Sequence, residues 1–175
     1  MKKVIKKLLR ENLIFENENK YVLFPISYDD YNEEIEDSNL DIDELIDRVH
    51  KIANENGVNI LSDKRLSNIL VDVENGTAIG GVWVSDNNMS FSFDIALDKN
   101  YQNLRLSHLL IDAALEEYEI QNDTVLDMSN KKLSMDIDVI NPKLADILKR
   151  KYGFRVKKRI SNDRVIMSLN KTNKI

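Results

Sequence analysis

Cysteine is absent from the 175 residues. That excludes a disulfide framework, a thiolate zinc site and a cysteine nucleophile, and it fits a reducing compartment. Histidine is almost absent too: His50 and His108 are the only two, too few to build a histidine metal centre, so no metal is expected. Proline occurs twice and glycine five times, which leaves little material for long flexible linkers. No stretch approaches the roughly 20 consecutive apolar residues that a membrane span requires. The basic start lacks the continuous apolar run and small-residue cleavage site of a secretion signal. The expectation is a cytoplasmic protein without a transmembrane segment.

What is present is ordinary for a globular chain: 42% hydrophobic and 31% charged residues, enough for one domain with a real core. The net charge of -5 hides an uneven distribution. Lys2, Lys3, Lys6, Lys7 and Arg10 make the start basic. Acids crowd residues 28–48, where Arg48 is the only base. Every charged residue from Lys149 to Arg159 is basic. That last run reads either as a solvated face of a helix and an edge strand, or as an attraction for a phosphorylated or nucleic-acid partner. Overall acidity argues against a general nucleic-acid binder.

Residues 1–14 form a separate basic amphipathic segment, with Val4, Ile5, Leu8 and Leu9 on one helical face. It reads either as a helix docked on the domain or as a leader for a partner or membrane surface. Its opening is similar to leaders of bacteriophage proteins, which would make the chain phage-encoded.

From residue 20 onward the periodicity alternates. Residues 21–27 predict a strand. Residues 41–55 predict a helix through Ile42, Leu45, Ile46, Val49, Ile52 and Ala53, closed by Gly57. Three antiparallel strands follow over 67–74, 77–84 and 89–97, the first two joined by Asn75-Gly76. The period then changes to helical over 104–118 and back to strand over 133–140. Asn141 caps and Pro142 opens another helix that ends near Gly153. Strands over 154–159 and 164–169 close the chain. The fold class is α/β (α+β): a mixed, mostly antiparallel central sheet flanked by helices, with a parallel pair where the 104–118 helix joins 89–97 to 133–140.

That element order resembles the GNAT (N-acetyltransferase) superfamily, over a single domain spanning residues 20–171. Thr77–Val84 looks like the family's third strand, residues 94–102 like its fourth strand and the start of its acetyl-CoA motif, and residues 141–154 like its last long helix, ending in Gly153-Phe154. The resemblance implies acetyl-CoA as co-substrate, with the pantetheine arm against the backbone of Ile95, Ala96 and Leu97. It implies a pyrophosphate over Gln102, Asn103, Leu104, Arg105, Leu106 and Ser107, and makes Asn141 a further cofactor-binding residue. A helix start at this point suits an anion, because its N–H groups are unpaired and carry partial positive charge. The family favours Gln or Arg, two spacers, Gly, a spacer, then Gly or Ala. Gln102 matches, Arg105 stands at the first glycine and Ser107 at the second small residue. Arg105 either blocks the loop or offers its guanidinium to a phosphate.

The resemblance also implies a base for the acceptor amine and a proton for the leaving thiolate. Asp94 is the candidate base, with an exposed sheet-edge acid as the alternative. The family's tyrosine position holds Lys149, and the nearby Tyr152, directly before Gly153, either takes the acid role or packs. The expected activity is transfer of an acetyl or related acyl group from CoA to an amine of a small molecule or protein. The alternative is a non-catalytic GNAT-like binding or structural module. Acceptor and oligomeric state are not legible in the sequence.

Overall fold

The computed structural model describes residues 20–26, 41–85, 90–102, 104–129, 134–139, 141–162 and 164–169. The basic segment 1–14 and most of the acidic stretch before residue 41 lie outside them. The described chain divides into two compact units, one built from residues up to Val84 together with Asp94–Leu115, the other from Ser85–Phe93 together with Glu116 onward.

In the first unit, β1 (Tyr21–Pro25), β2 (Lys64–Asp72), β3 (Thr77–Ser85) and β5 (Phe93–Leu97) lie in that order in one sheet. β1 runs antiparallel to β2, Tyr21 opposite Asp72 and Pro25 opposite Asn68. Pro25 ends its strand, having no N–H to give to a ladder. Helix α1 (Ile42–Glu55) starts where Asp41 accepts a hydrogen bond from the Glu44 N–H at 3.1 Å, an N-cap reinforced by acids in the first turn. Its apolar stripe, Leu45, Val49, Ile52 and Ala53, is buried in a cluster with Ile69, Val71, Ala78, Trp83 and Ala96. The helical period of α1 and the two-residue period of the strands thus meet in one core.

In the second unit the sheet order is β4 (Ser90–Phe91), β6 (Ser134–Val139), β8 (Val165–Ser168), β7 (Arg155–Arg159). β4 pairs with β6 in parallel and β6 with β8 antiparallel. The β7–β8 ladder carries a register shift between Val156 and Lys158. On β6, Met135, Ile137 and Val139 are buried while Ser134 and Asp138 are exposed, the alternation that a one-sided strand requires. Helix α3 (Pro142–Tyr152) is capped by Asn141 and stopped by Gly153 at φ +75, a conformation that glycine adopts without the penalty of a Cβ. Phe91 meets Tyr118 edge-on at 5.4 Å between ring centroids.

Two expectations need correction. The run 89–97 is not one strand in one meander: β4 pairs with β6, and β5 lies beside β3. Helix α2 runs over Ser107–Ser129 rather than 104–118. Residues 104–106 form a turn before it, and no Gly or Pro stops it between Ser107 and Ser129. The polarity of residues 119–124 signals exposure rather than a loop. Among the described residues no helix is long and apolar enough to cross a membrane.

Candidate functional site

The candidate site is described from the first unit, which contains β5, a 3-10 turn over Lys99–Tyr101 and the start of α2. β5 is the last strand of its sheet. The Asp98 N–H donates to the Ile79 carbonyl at 2.8 Å, so residues of the same parity, Asp94 and Ala96, turn their backbone groups toward β3. Ile95 and Leu97 turn theirs to the opposite edge. The Leu97 carbonyl accepts there from Asn56 Nδ2 at 3.0 Å and from Gln102 Nε2 at 3.1 Å. A backbone edge that takes side-chain donors is an edge to which an amide-bearing arm can pair.

The segment after β5 is held by side chains from elsewhere in the unit. Asp98 caps the 3-10 turn, its Oδ1 accepting from the Asn100 N–H at 2.9 Å. Its Oδ2 accepts from Arg48 of α1 at 2.8 Å. Tyr101 donates its hydroxyl to Asp72 Oδ2 at 3.1 Å. Burial pushes the Tyr101 phenol up, and its hydrogen bond to Asp72 adds to the rise. Gln102 Nε2 also donates to Asn56 Oδ1 at 3.2 Å, so both hydrogens of its amide face the protein. Gln102 therefore pins the loop to α1 and β5.

Arg105 follows. Its φ is 60, and among the described residues it is the one non-glycine at positive φ. For a residue with a Cβ this left-handed conformation costs roughly 1–2 kcal/mol. It is the backbone that glycine adopts freely, at the position where glycine is expected from the motif. The Arg105 side chain is exposed, and its carbonyl accepts a hydrogen bond from Nδ1 of His108. Leu104 is exposed, Leu106 buried, and Ser107 opens α2. The first N–H groups of any α-helix lack intrahelical acceptors and carry the positive end of its dipole. Asn103 lies outside the described residues.

Asp94 sits on β5 with its Oδ2 2.7 Å from Lys64 Nζ of β2. The Lys64 side chain is 8% exposed and that of Asp94 21%, so the ion pair is largely sheltered. Lys64, Asn56 and Arg48 are the partners that the sequence reading did not single out. They stand 30 to 50 residues from the groups they bind, and no local pattern signals such pairs. In the second unit, Asn141 spends its Oδ1 on the Lys143 and Leu144 N–H groups, at 2.9 and 3.4 Å. Tyr152 is half-buried at the end of α3, and Lys149 is exposed one turn earlier.

No family model and no curated protein sequence matches the chain. Solved structures do. The chain is similar to the ribosomal-protein-S5-alanine acetyltransferase from Vibrio fischeri at 14% identity and a TM-score of 0.56, over 93% of this chain and 98% of that one. It is similar to an acyl-CoA N-acyltransferase from Pseudomonas aeruginosa at 9% identity and a TM-score of 0.52, over 86% and 99%. A third likeness is to a putative acetyltransferase from Salmonella typhimurium solved with its cofactor acetyl-CoA, at 14% identity and a TM-score of 0.50, over 87% and 94%.

Proposed function

Since the chain has the GNAT acyl-CoA N-acyltransferase fold, we propose that it transfers an acetyl or related acyl group from CoA to an amine. The observation that carries this reading is Arg105: a residue with a Cβ holds the left-handed backbone of a glycine at the turn into α2. A strained conformation persists only where the surrounding structure over-determines it, and a phosphate loop is one reason to keep it.

The residues suit acetyl-CoA. The outer edge of β5 at Ile95 offers backbone partners to the amides of pantetheine, with Ala96 and Leu97 beside it and the Leu97 carbonyl already engaged by Asn56 and Gln102. The N–H groups around Leu106 and Ser107 lie at the positive end of α2, which favours a pyrophosphate. The exposed Arg105 guanidinium adds a fixed charge to that loop. Leu104 beside it is exposed, and the resemblance adds Asn103 and Asn141 as CoA-binding residues. Transfer breaks the thioester and forms an amide; the amine gives up a proton and the thiolate takes one. Asp94 is proposed to receive the first, with Lys64 fixing its orientation; supplying the second is the role that the resemblance implies for Tyr152. Most of the rate would come from holding amine and thioester together. The acceptor is an amine of a small molecule or of a protein. The Vibrio fischeri enzyme, named for a ribosomal-protein alanine, illustrates the second kind.

Calorimetric titration with acetyl-CoA tests the reading. Micromolar affinity, followed by release of CoA when amines are supplied, supports it. No binding at millimolar acetyl-CoA sinks it. A second reading, a non-catalytic module of the same fold, draws on Asp94, whose Oδ2 is already engaged by Lys64. It predicts binding without CoA release for every amine tried.

A further inference from the structure

Arg105 and His108 meet at the Arg105 carbonyl. The peptide between Arg105 and Leu106 is planar, and its C=O and N–H point in opposite directions. A hydrogen bond to the Arg105 carbonyl therefore also fixes the direction of the Leu106 N–H. His108 makes that bond from Nδ1, reaching back three residues from the first turn of α2. The ring hydrogen must sit on Nδ1 for it, because the carbonyl only accepts. Glycine would hold this backbone without help. Arginine at φ 60 does not, because its Cβ favours the right-handed region.

We propose that His108 is a positioning residue that holds the 105–106 peptide in a glycine-like orientation, and so keeps the Leu106 N–H directed to the pyrophosphate of CoA. The ligand half of this statement rests on the acyltransferase reading above; the backbone half does not. His108 touches no reacting atom in this scheme. It compensates for the arginine that replaces glycine, so its importance depends on Arg105 being there.

A double-mutant cycle reads that dependence. The cycle comprises wild type, His108→Ala, Arg105→Gly and the double variant; a fifth protein, His108→Asn, keeps an N–H donor at the distance of Nδ1 from the backbone. Arg105→Gly relieves strain, so the cycle stays within folded proteins. Each is measured by thermal unfolding without ligand and by calorimetric titration with CoA. Expected results are a CoA Kd about tenfold weaker for His108→Ala, a size typical of one lost oriented hydrogen bond, and a Kd within about twofold of wild type for His108→Asn. In the Arg105→Gly background, His108→Ala should change neither the Kd nor the melting temperature appreciably. Equal losses in both backgrounds, or no loss in either, overturn the proposal. If wild type binds no CoA at millimolar concentration, the acyltransferase reading fails. The melting temperatures alone then decide whether His108 supports the Arg105 backbone.

Discussion

Lys64 Nζ lies 2.7 Å from Asp94 Oδ2, joining the start of β2 to β5 across a sheltered surface. Removing one partner leaves a charge without its counter-ion where water is scarce. Asp94→Asn should destabilise the protein by about 2 kcal/mol, less than a fully buried pair because Asp94 keeps some solvent contact. It should also lower the rate of acetyl transfer more than it weakens CoA binding. Urea denaturation and steady-state kinetics check the two halves. The double variant Lys64→Met/Asp94→Leu should recover most of the stability and none of the activity.

Arg105→Gly should stabilise the chain by about 1 kcal/mol, since glycine occupies φ 60 without the Cβ clash. For a protein of this size that corresponds to a rise of roughly 2–4 °C in melting temperature. Arg105→Val should do the reverse, because a β-branched side chain tolerates the left-handed region least. Comparing the CoA affinities of Arg105→Gly and Arg105→Lys separates the guanidinium's contribution from the backbone's. A loss in Arg105→Gly that Arg105→Lys partly avoids would mark a charge contact.

Gly80→Ala places a Cβ 2.7 Å from the Ala96 carbonyl oxygen, and Gly81→Ala places one 2.3 Å from Val49 Cγ1. Neither neighbour can swing away: one is β5 backbone, the other a fully buried valine. Each substitution should cost about 1–3 kcal/mol, the range for overpacking. Gly80→Ala should also weaken CoA binding, because it displaces the strand proposed to hold the pantetheine arm. Gly81→Ala should spare it. Denaturation midpoints and CoA titrations distinguish the two variants.

The Tyr101 phenol is raised by burial and by its bond to Asp72, and that of Tyr118 by burial and by Glu119. A group whose folded value exceeds its unfolded one stabilises the fold below the unfolded value of about 10, and that stabilisation is lost as pH climbs through the folded value. Melting temperature should therefore fall as the pH rises past about 10. Tyr101→Phe should shrink that fall and cost about 1 kcal/mol at neutral pH through the lost hydrogen bond. A pH series of thermal melts on both proteins tests it.

Local chemistry was legible in the chain. Asn141-Pro142 and Gly153 mark the two ends of α3 because a cap, a fixed φ and a left-handed stop each act within one turn. The stripe from Leu45 to Ala53 shows which face of α1 is buried. Asn75-Gly76 places the hairpin between β2 and β3, and the parallel β4–β6 pair follows from a helix lying between them. The run from 89 to 97 was harder. It is one alternating stretch in sequence, and which half pairs with which neighbour is a matter of long-range register.

Sequence by itself determined most of the elements, their order and the position of an arginine where the motif expects glycine, because these follow from residue type and spacing. Only the tertiary structure decided that Arg105 keeps φ 60 with His108 on its carbonyl, that the Gln102 amide turns inward to Asn56 and Leu97, and that Asp94 meets Lys64. Those outcomes depend on groups far apart along the chain. Their meeting is set by how strands and helix pack, and no local propensity encodes it.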